Sequence, residues 1–481
     1  MNVCVATIDH TLNPSALTNS QPPLVVDLDG TLCRTDTLWE CFFAAWAQDI
    51  SLPIRAVVWL LRGRTTLKRE LAQRAHSDLS ALPWNESVLD ALRTAREEGR
   101  TCVLATAAHR NVADACAQSI GVFDRVFATD DSVNLKSHAK ARALSAAYGE
   151  RGFDYVGDSR ADIAVWAASR RAFSVSSIRP PGVLALGEMT GGVSVSAWTR
   201  LLRIRHWIKN SLVFVALFAA HHWADPLAWV ATIQTVIAFC AVCSGIYVFN
   251  DLFDLRSDRS HPSKKLRPLA CGIISLATAT CVAAMLLFVG LGIAFYVNIG
   301  VGLTVLAYCV VNALYTLHIK RIAVADVSVL AVLYTLRIVA GAAAIAVPLS
   351  PWLFAFSVFA FLSLALLKRA VDVNRLQPDE CVPGRGYTGR DANFVNVFGA
   401  ATSIAAIVVL SLYVASPQIG VLYASSYWLW IALAIVLYWL MRMWQLAMSG
   451  RGQDDPVLFA TQDVTSWLCA AACGICFVLA L

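Results

Sequence analysis

The sequence predicts two folds in one chain: an N-terminal α/β doubly wound domain with a helical cap, then a C-terminal all-α membrane domain of nine transmembrane helices. Three observations carry this reading. Charge is unevenly divided: residues 1–197 hold 20 Lys/Arg and 21 Asp/Glu, whereas residues 198–481 hold 19 and 12. The average of 15% charged hides that division, since a soluble chain carries about 25%. Short apolar strands alternate with helical stretches before residue 185, and apolar runs of bilayer-crossing length recur after Trp207.

The same shifts set the boundaries. Residues 1–22 are a polar leader, expected to be disordered, ending at Pro22–Pro23 and without the basic-then-apolar pattern of a signal peptide. Residues 23–185 form the α/β domain, with the cap at about 35–100; residues 186–200 are a linker, and 201–481 the membrane domain.

Leu24-Val25-Val26 is an apolar strand running into Asp27-Leu28-Asp29-Gly30-Thr31. It places two carboxylates at the carboxyl end of a strand, where open α/β sheets bind ligands. A second strand, Cys102–Ala105, ends in Thr106; Lys136 lies downstream; a third, Phe153–Val156, ends in Gly157-Asp158-Ser159-Arg160-Ala161-Asp162. The insert at 35–100 contains an apolar and basic segment, IRAVVWLLRGRTTLKREL, suited either to a buried cap helix or to a membrane surface.

The ordered set DLDGT, Thr106, Lys136 and GDSRAD resembles the haloacid-dehalogenase-like phosphatase superfamily over residues 22–180. The resemblance implies Asp27 as nucleophile and Asp29 as general acid and base. It implies Mg²⁺ held by Asp27, Asp158 and the Asp29 carbonyl, with Asp162 supporting Asp158. Thr106 and Lys136 are the implied phosphate ligands, Lys136 being preferred to Lys140.

Spans are expected near 207–222, 227–249, 272–294, 298–317, 325–346, 351–368, 394–414, 427–446 and 463–481. Their connections alternate between basic and nearly uncharged. The positive-inside rule puts the basic set and the N-terminal domain in the cytoplasm of a multi-pass protein of the cell membrane, and nine spans put the C-terminus outside. The net charge of +6 belongs to that inner face, so nucleic acid is not an expected partner. Cys240 and Cys243 form a C-x-x-C inside an apolar run, which reads as membrane-helix packing rather than a zinc or redox site.

At the inner end of the second span stands Asn250-Asp251-Leu252-Phe253-Asp254-Leu255-Arg256-Ser257-Asp258. Asp251, Asp254 and Asp258 follow at i, i+3 and i+7, on one face of a helix. Three carboxylates that close repel unless a divalent cation sits among them. Lys264, Lys265 and Arg267 come next, and acids for Mg²⁺ beside cations for phosphate describe a diphosphate site.

That pattern resembles the UbiA prenyltransferase superfamily over residues 198–481. LRIRHWIKN, LRIVAGAAAIAVPLSPW, LLKRA, RGYT and DDPVLFATQD are similar to its decaprenyl-phosphate phosphoribosyltransferase branch. The resemblance implies phosphoribosyl diphosphate as donor and a polyprenyl phosphate as acceptor. Mg²⁺ would lie on Asp251, Asp254 and Asp258, with Asn250 orienting a ligand. Lys209, Asn210, Lys320 and Arg337 are candidates for the lipid phosphate or the ribose 5-phosphate. The second acidic motif of the superfamily is reduced to Tyr315, Lys320 and Asp326, which favours a phosphate-rich donor. The reading is therefore a bifunctional enzyme, transferase and phosphatase. The alternatives are an aromatic prenyltransferase using an isoprenyl diphosphate, or an N-terminal domain that only binds. Oligomeric state leaves no mark in the sequence.

Overall fold

The structure, a computed structural model, describes residues 21–74, 81–130, 133–187, 193–417, 419–450, 452 and 455–481. The expected leader up to residue 20, cap residues 75–80, linker residues 188–192 and Asp454 lie outside the described residues.

Six strands form one sheet: β1 (Leu24–Val26), β2 (Cys102–His109), β3 (Arg125–Thr129), β4 (Asp154–Gly157), β5 (Arg171–Ser174) and β6 (Val183–Ala185). Their order is β3-β2-β1-β4-β5-β6, and every neighbouring pair is parallel. Parallel strands buried on both faces read as continuous apolar runs. In β1, Leu24 and Val26 enter one core and Val25 the other; in β2, Cys102 and Leu104 separate in the same way from Val103 and Ala105. The helices of this part are α1 (Thr37–Trp46), α2 (Leu52–Arg62), α3 (Arg64–Arg74), α4 (Glu86–Glu97), α5 (Arg110–Ile120), α6 (His138–Tyr148), α7 (Ile163–Ala168) and α8 (Val195–Leu201). Asp36 starts α1 by accepting the backbone N–H groups of Leu38 and Trp39, which a helix N-terminus leaves without internal partners. The connection from β1 turns toward β2 on one side while β4 pairs on the other, so the carboxyl end of β1 lies at the point where strand order reverses.

Beyond Leu202 the chain forms a 3-10 helix over Ile204–Val213 and then α9 (Phe214–Ala219), α10 (Pro226–Phe253), α11 (Leu255–Ser260), α12 (Leu276–Val297), α13 (Ile299–Leu317), α14 (Ala325–Ala344), α15 (Pro351–Val373), α16 (Ala392–Val414), α17 (Ile419–Leu422), α18 (Tyr427–Met448), α19 (Pro456–Ala460) and α20 (Val464–Ala480). Asp225, Asn298 and Asp463 mark starts of these helices by accepting backbone N–H groups of the first turn.

The expected count of nine transmembrane helices is not reproduced. Among the described residues, seven helices are long and apolar enough to cross a membrane: α10, α12, α13, α14, α15, α16 and α18. The first expected span is instead the 3-10 helix with its polar His206, Lys209 and Asn210, followed by the six residues of α9. The ninth is the 17-residue α20. At 1.5 Å per residue it reaches about 26 Å, short of the ~30 Å hydrocarbon core.

Two compact units result: Met1–Leu202 with Tyr247–Ala283, and Arg203–Ile246 with Ala284–Leu481. The first thus contains the acidic and basic segment that follows α10. It is held there by a core that joins Phe43 of α1 and Leu201 of α8 to Leu252, Leu255, Leu269 and Leu276. Phe253 meets the rings of Phe43 and Trp46 edge-on at 5.8 and 4.9 Å.

Candidate active sites

The strand ends of the sheet gather three carboxylates. Asp27 follows β1, Asp158 follows β4, and Asp162 lies one turn further on; one oxygen from each falls within 4.8 Å of the others. Gly30 makes this possible. Its φ is +77°, and a Cβ there would lie 2.3 Å from Asp158 Oδ2. Asp162 is already engaged. Its Oδ2 accepts the backbone N–H of Ser159 at 3.1 Å and the Ser159 hydroxyl at 2.9 Å, and its Oδ1 accepts the Tyr155 hydroxyl at 2.7 Å. It therefore fixes the loop that carries Asp158. Asp29 turns the other way, its Oδ1 accepting the Thr37 N–H at the start of α1, 2.7 Å away.

Lys140, on α6, is the cation beside Asp27. It is 3% exposed, and its Nζ lies 2.9 Å from Asp27 Oδ1 and 3.5 Å from Asp162 Oδ1. Lys136, the preferred candidate from the sequence, stands on the cavity wall in the loop before α6 and is exposed. Thr106 is fully buried within β2, its Oγ1 accepting the Ala108 N–H at 3.0 Å; the next residues, Ala107 to His109, line the cavity.

Charge in this site is unbalanced. Burial pushes Asp27 up to about 6, with Lys140 offsetting part of the rise. Burial, then Asp36, pushes Asp29 up to about 7. Burial, then Asp27 and Asp162, pushes Asp158 up to about 8. Burial would lower Lys140, but Asp27 and Asp162 raise it overall. Buried carboxylates that cannot all ionise beside one ammonium fit a divalent cation, and an all-oxygen donor set suits Mg²⁺.

The acidic segment after α10 is not one continuous helix. α10 stops at Phe253, Asp254 is the break, and α11 begins at Leu255. Asp251 and Asp258 are nonetheless brought together, because Arg267 Nη1 donates to Asp251 Oδ1 at 3.1 Å and to Asp258 Oδ2 at 2.6 Å. Both acids are buried, while Asn250 and Asp254 are half-buried. The guanidinium sits between two of the three acids expected to hold metal. Lys264 is half-buried and Lys265 exposed, both in the turn Lys264–Leu266.

In the second unit, Asn210 and Arg337 meet. Arg337 is 4% exposed; its Nε donates to Asn210 Oδ1 at 3.0 Å, its Nη2 to the Tyr308 hydroxyl at 3.0 Å and its Nη1 to the Leu333 carbonyl at 2.6 Å. Cys240 and Cys243 belong to the same cluster, Cys240 accepting from the Asn210 amide and Cys243 donating to the Tyr308 hydroxyl. Lys209 forms an ion pair with Asp455. Lys320 lies half-buried in the turn after α13. Asp326, a conceivable partner for Arg337 by sequence, is instead bound by Arg369 Nε at 2.8 Å and the Tyr387 hydroxyl at 2.7 Å, with Arg385 at 3.8 Å.

Sequence reasoning missed Asp455 as the partner of Lys209, Arg369 as the partner of Asp326, and the cap residues Arg64 and Lys68 in the cavity wall. The first two carry no local signal, since 246 and 43 residues separate the partners. The basic character of the cap was visible, but not which of its cations face inward.

Comparison with known proteins agrees with both halves. A model described as the UbiA prenyltransferase family matches residues 211–479, and one described as haloacid dehalogenase-like hydrolase matches residues 24–166. The chain is 37% identical over 470 residues to protein y4nM of Sinorhizobium fredii, covering 95% of this chain and 91% of that one. It is 33% identical over 301 residues to nodulation protein NoeC of Azorhizobium caulinodans, covering 61% and 96%. It is 32% identical over 185 residues to the decaprenyl-phosphate phosphoribosyltransferase of Mycolicibacterium smegmatis, covering 37% of this chain and 58% of that one.

Proposed function

Because this chain belongs to the UbiA prenyltransferase family and carries a haloacid dehalogenase-like hydrolase domain ahead of it, we propose that it is a bifunctional membrane enzyme. The membrane domain transfers 5-phosphoribosyl from phosphoribosyl diphosphate to a polyprenyl phosphate. The N-terminal domain then removes the 5-phosphate from the product.

The observation that carries the donor assignment is the state of Asp326. It is the one acid of the second motif, it is fully buried, and Arg369 and Tyr387 occupy its two oxygens. Of the two acidic motifs, the one with acids left for metal is then the Asp251–Asp258 segment, where Mg²⁺ would screen the diphosphate. The other phosphates of the reactants fall to cations, with Lys264, Lys265 and Arg267 in the loop and Lys209, Lys320 and Arg337 as further candidates beside Asn210. Such a balance suits a donor and acceptor rich in phosphate better than an isoprenyl diphosphate with a neutral aromatic acceptor. In the transfer, a lipid phosphate oxygen attacks ribose C1 as the C1–O bond to diphosphate breaks, so diphosphate leaves with the electron pair.

In the phosphatase step, Asp27 attacks phosphorus while Lys140 holds it ionised and Asp29 protonates the leaving alkoxide. Asp29 then takes a proton from the water that opens the aspartyl-phosphate. Asp27, Asp158 and the Asp29 carbonyl would hold Mg²⁺, which would supply charge neutralisation for the phosphoryl group. The positive-inside rule applied to the basic connections favours a cytoplasmic N-terminal domain and a C-terminus on the outer side.

The test is mass spectrometry of lipids from membranes given phosphoribosyl diphosphate and polyprenyl phosphate. Asp254→Asn abolishes the ribosylated lipid. Asp27→Asn accumulates its 5-phosphorylated form. Wild-type behaviour of both variants, or consumption of an isoprenyl diphosphate with an aromatic acceptor instead, overturns the reading.

A further inference from the structure

The cavity over Asp27 has cationic side chains on its cap side, away from the strand-end acids. It has a volume of about 500 Å³, within the usual range for a small-molecule site. Lys140 is committed to Asp27 and Asp162. Facing it, the cap contributes Arg64 and Lys68 from α3, and the loop before α6 contributes Lys136. Lys68 Nζ donates to the Ala107 carbonyl at 2.5 Å and to Asn134 Oδ1 at 3.0 Å. An ammonium has three donors, so one remains to point at a ligand. Burial, Lys136 and Arg64 disfavour the charge on Lys68, while Asp29 and Asp36 on the same wall favour it. With a divalent cation on the strand-end acids, the cap-side cations Arg64, Lys68 and Lys136 are left to neutralise a further anionic group.

The wall of the same cavity also includes the residue before an apolar helix. Ser275 lines it and directly precedes α12, which is long and apolar enough to span a membrane. Leu60 of α2 lines it too, and α2 leaves Ile54 and Leu61 75% and 83% exposed.

We propose that Arg64, Lys68 and Lys136 form a second anion subsite, and that the substrate is a phosphomonoester carrying a further phosphate group joined to a membrane lipid. This rests on the phosphatase reading above and names its substrate class. Hydrolysis breaks only the terminal ester P–O bond: water supplies the proton to the alcohol and the hydroxyl to inorganic phosphate, and the second phosphate is untouched.

The experiment measures phosphate release by the full chain in nanodiscs with Mg²⁺. Three substrates are compared: ribose 5-phosphate, ribose 1,5-bisphosphate and a polyprenyl-phospho-ribose 5-phosphate. The expected order of kcat/KM is lipid-linked, then bisphosphate, then monophosphate, with about tenfold between the last two. Lys68→Gln and Arg64→Gln each reduce the bisphosphate-to-monophosphate preference by about tenfold, chiefly through KM, and Lys68→Arg restores it. Arg64 is exposed, so its variant keeps the test valid if loss of the Lys68 contacts disturbs the cap. Equal use of mono- and bisphosphate by the wild type, or a preference that survives both variants, overturns the subsite. Equal use of soluble and lipid-linked bisanions removes the lipid from the assignment. Hydrolysis of none of the three sinks the phosphatase reading itself, whereas failure of the transfer reaction leaves these ratios standing.

Discussion

Arg259 sets both terminal nitrogens of its guanidinium on the carboxylate of Glu40, at 2.6 and 3.0 Å, and its Nε on the Ala270 carbonyl at 3.0 Å. Each side chain is 9% exposed. Glu40 lies on α1, whose first turn holds Asp29 through the Thr37 N–H; Arg259 lies on α11, next to Asp258. One bidentate pair therefore ties the helix whose first turn binds Asp29 to the segment that carries Asp251, Asp254 and Asp258. Removing one partner strands the other charge. Glu40→Gln should cost about 3 kcal/mol, read as an earlier thermal unfolding transition of the purified chain. A double-mutant cycle with Arg259→Met should recover much of that loss. Additive effects would mean that the two side chains do not depend on each other.

Gly30→Ala should abolish phosphate release while the protein stays folded. A Cβ would collide with Asp158 Oδ2 at 2.3 Å, and φ of +77° adds about 1–2 kcal/mol of backbone strain. Lipid ribosylation in the same preparation serves as the control for folding. Retained phosphatase activity contradicts the placement of Asp158 against this turn.

Lys140 and Lys136 should separate by parameter. Lys140→Met leaves Asp27 buried without its cation and should lower kcat by about a thousandfold. Lys136→Met should act mainly on KM. The reverse pattern would favour Lys136 as the lysine that binds the reacting phosphoryl group.

The site should bind Mg²⁺ more strongly as pH rises. Asp27, Asp29 and Asp158 are pushed, mainly by burial, up to about 6, 7 and 8. Ordinary carboxylates titrate near 4, so between about pH 4 and 8 the folded chain holds more protons than the unfolded one. Stability of the metal-free protein therefore falls as pH rises through that window. Mg²⁺ displaces those protons, so its effect on the unfolding temperature should be larger at about pH 8 than at about pH 5.5. An equal effect at both values argues against these acids as ligands.

Asp326→Asn should destabilise the second unit without changing Mg²⁺ dependence of transfer. Arg369 is 2% exposed and loses its buried counter-charge, a cost of about 3 kcal/mol. A raised Mg²⁺ requirement in the variant would show instead that Asp326 serves the metal.

Much of this was legible in local order. The strand-then-DLDGT junction, GDSRAD and the Asp251–Asp258 spacing are short-range patterns, and short-range patterns survive in one dimension because neighbouring residues share an element. Seven of the expected spans follow from length and apolarity alone. The first failed because His206, Lys209 and Asn210 interrupt it with side chains that find inward partners. The choice between Lys136 and Lys140 also escaped the sequence. Lys140 reaches Asp27 from α6 whereas Lys136 lies in the loop before it, and no spacing rule fixes where that helix starts.

By itself the sequence determined the two folds, the family of each, and the residue types that phosphate and Mg²⁺ chemistry require. Only the tertiary structure decided how those charges are spent. It gave Asp162 to the Asp158 loop, Asp326 to Arg369, Arg267 to the gap between Asp251 and Asp258, and Glu40 to Arg259. The reason is physical: a buried charge must find a partner through space, and the partner that satisfies it can stand anywhere in the chain.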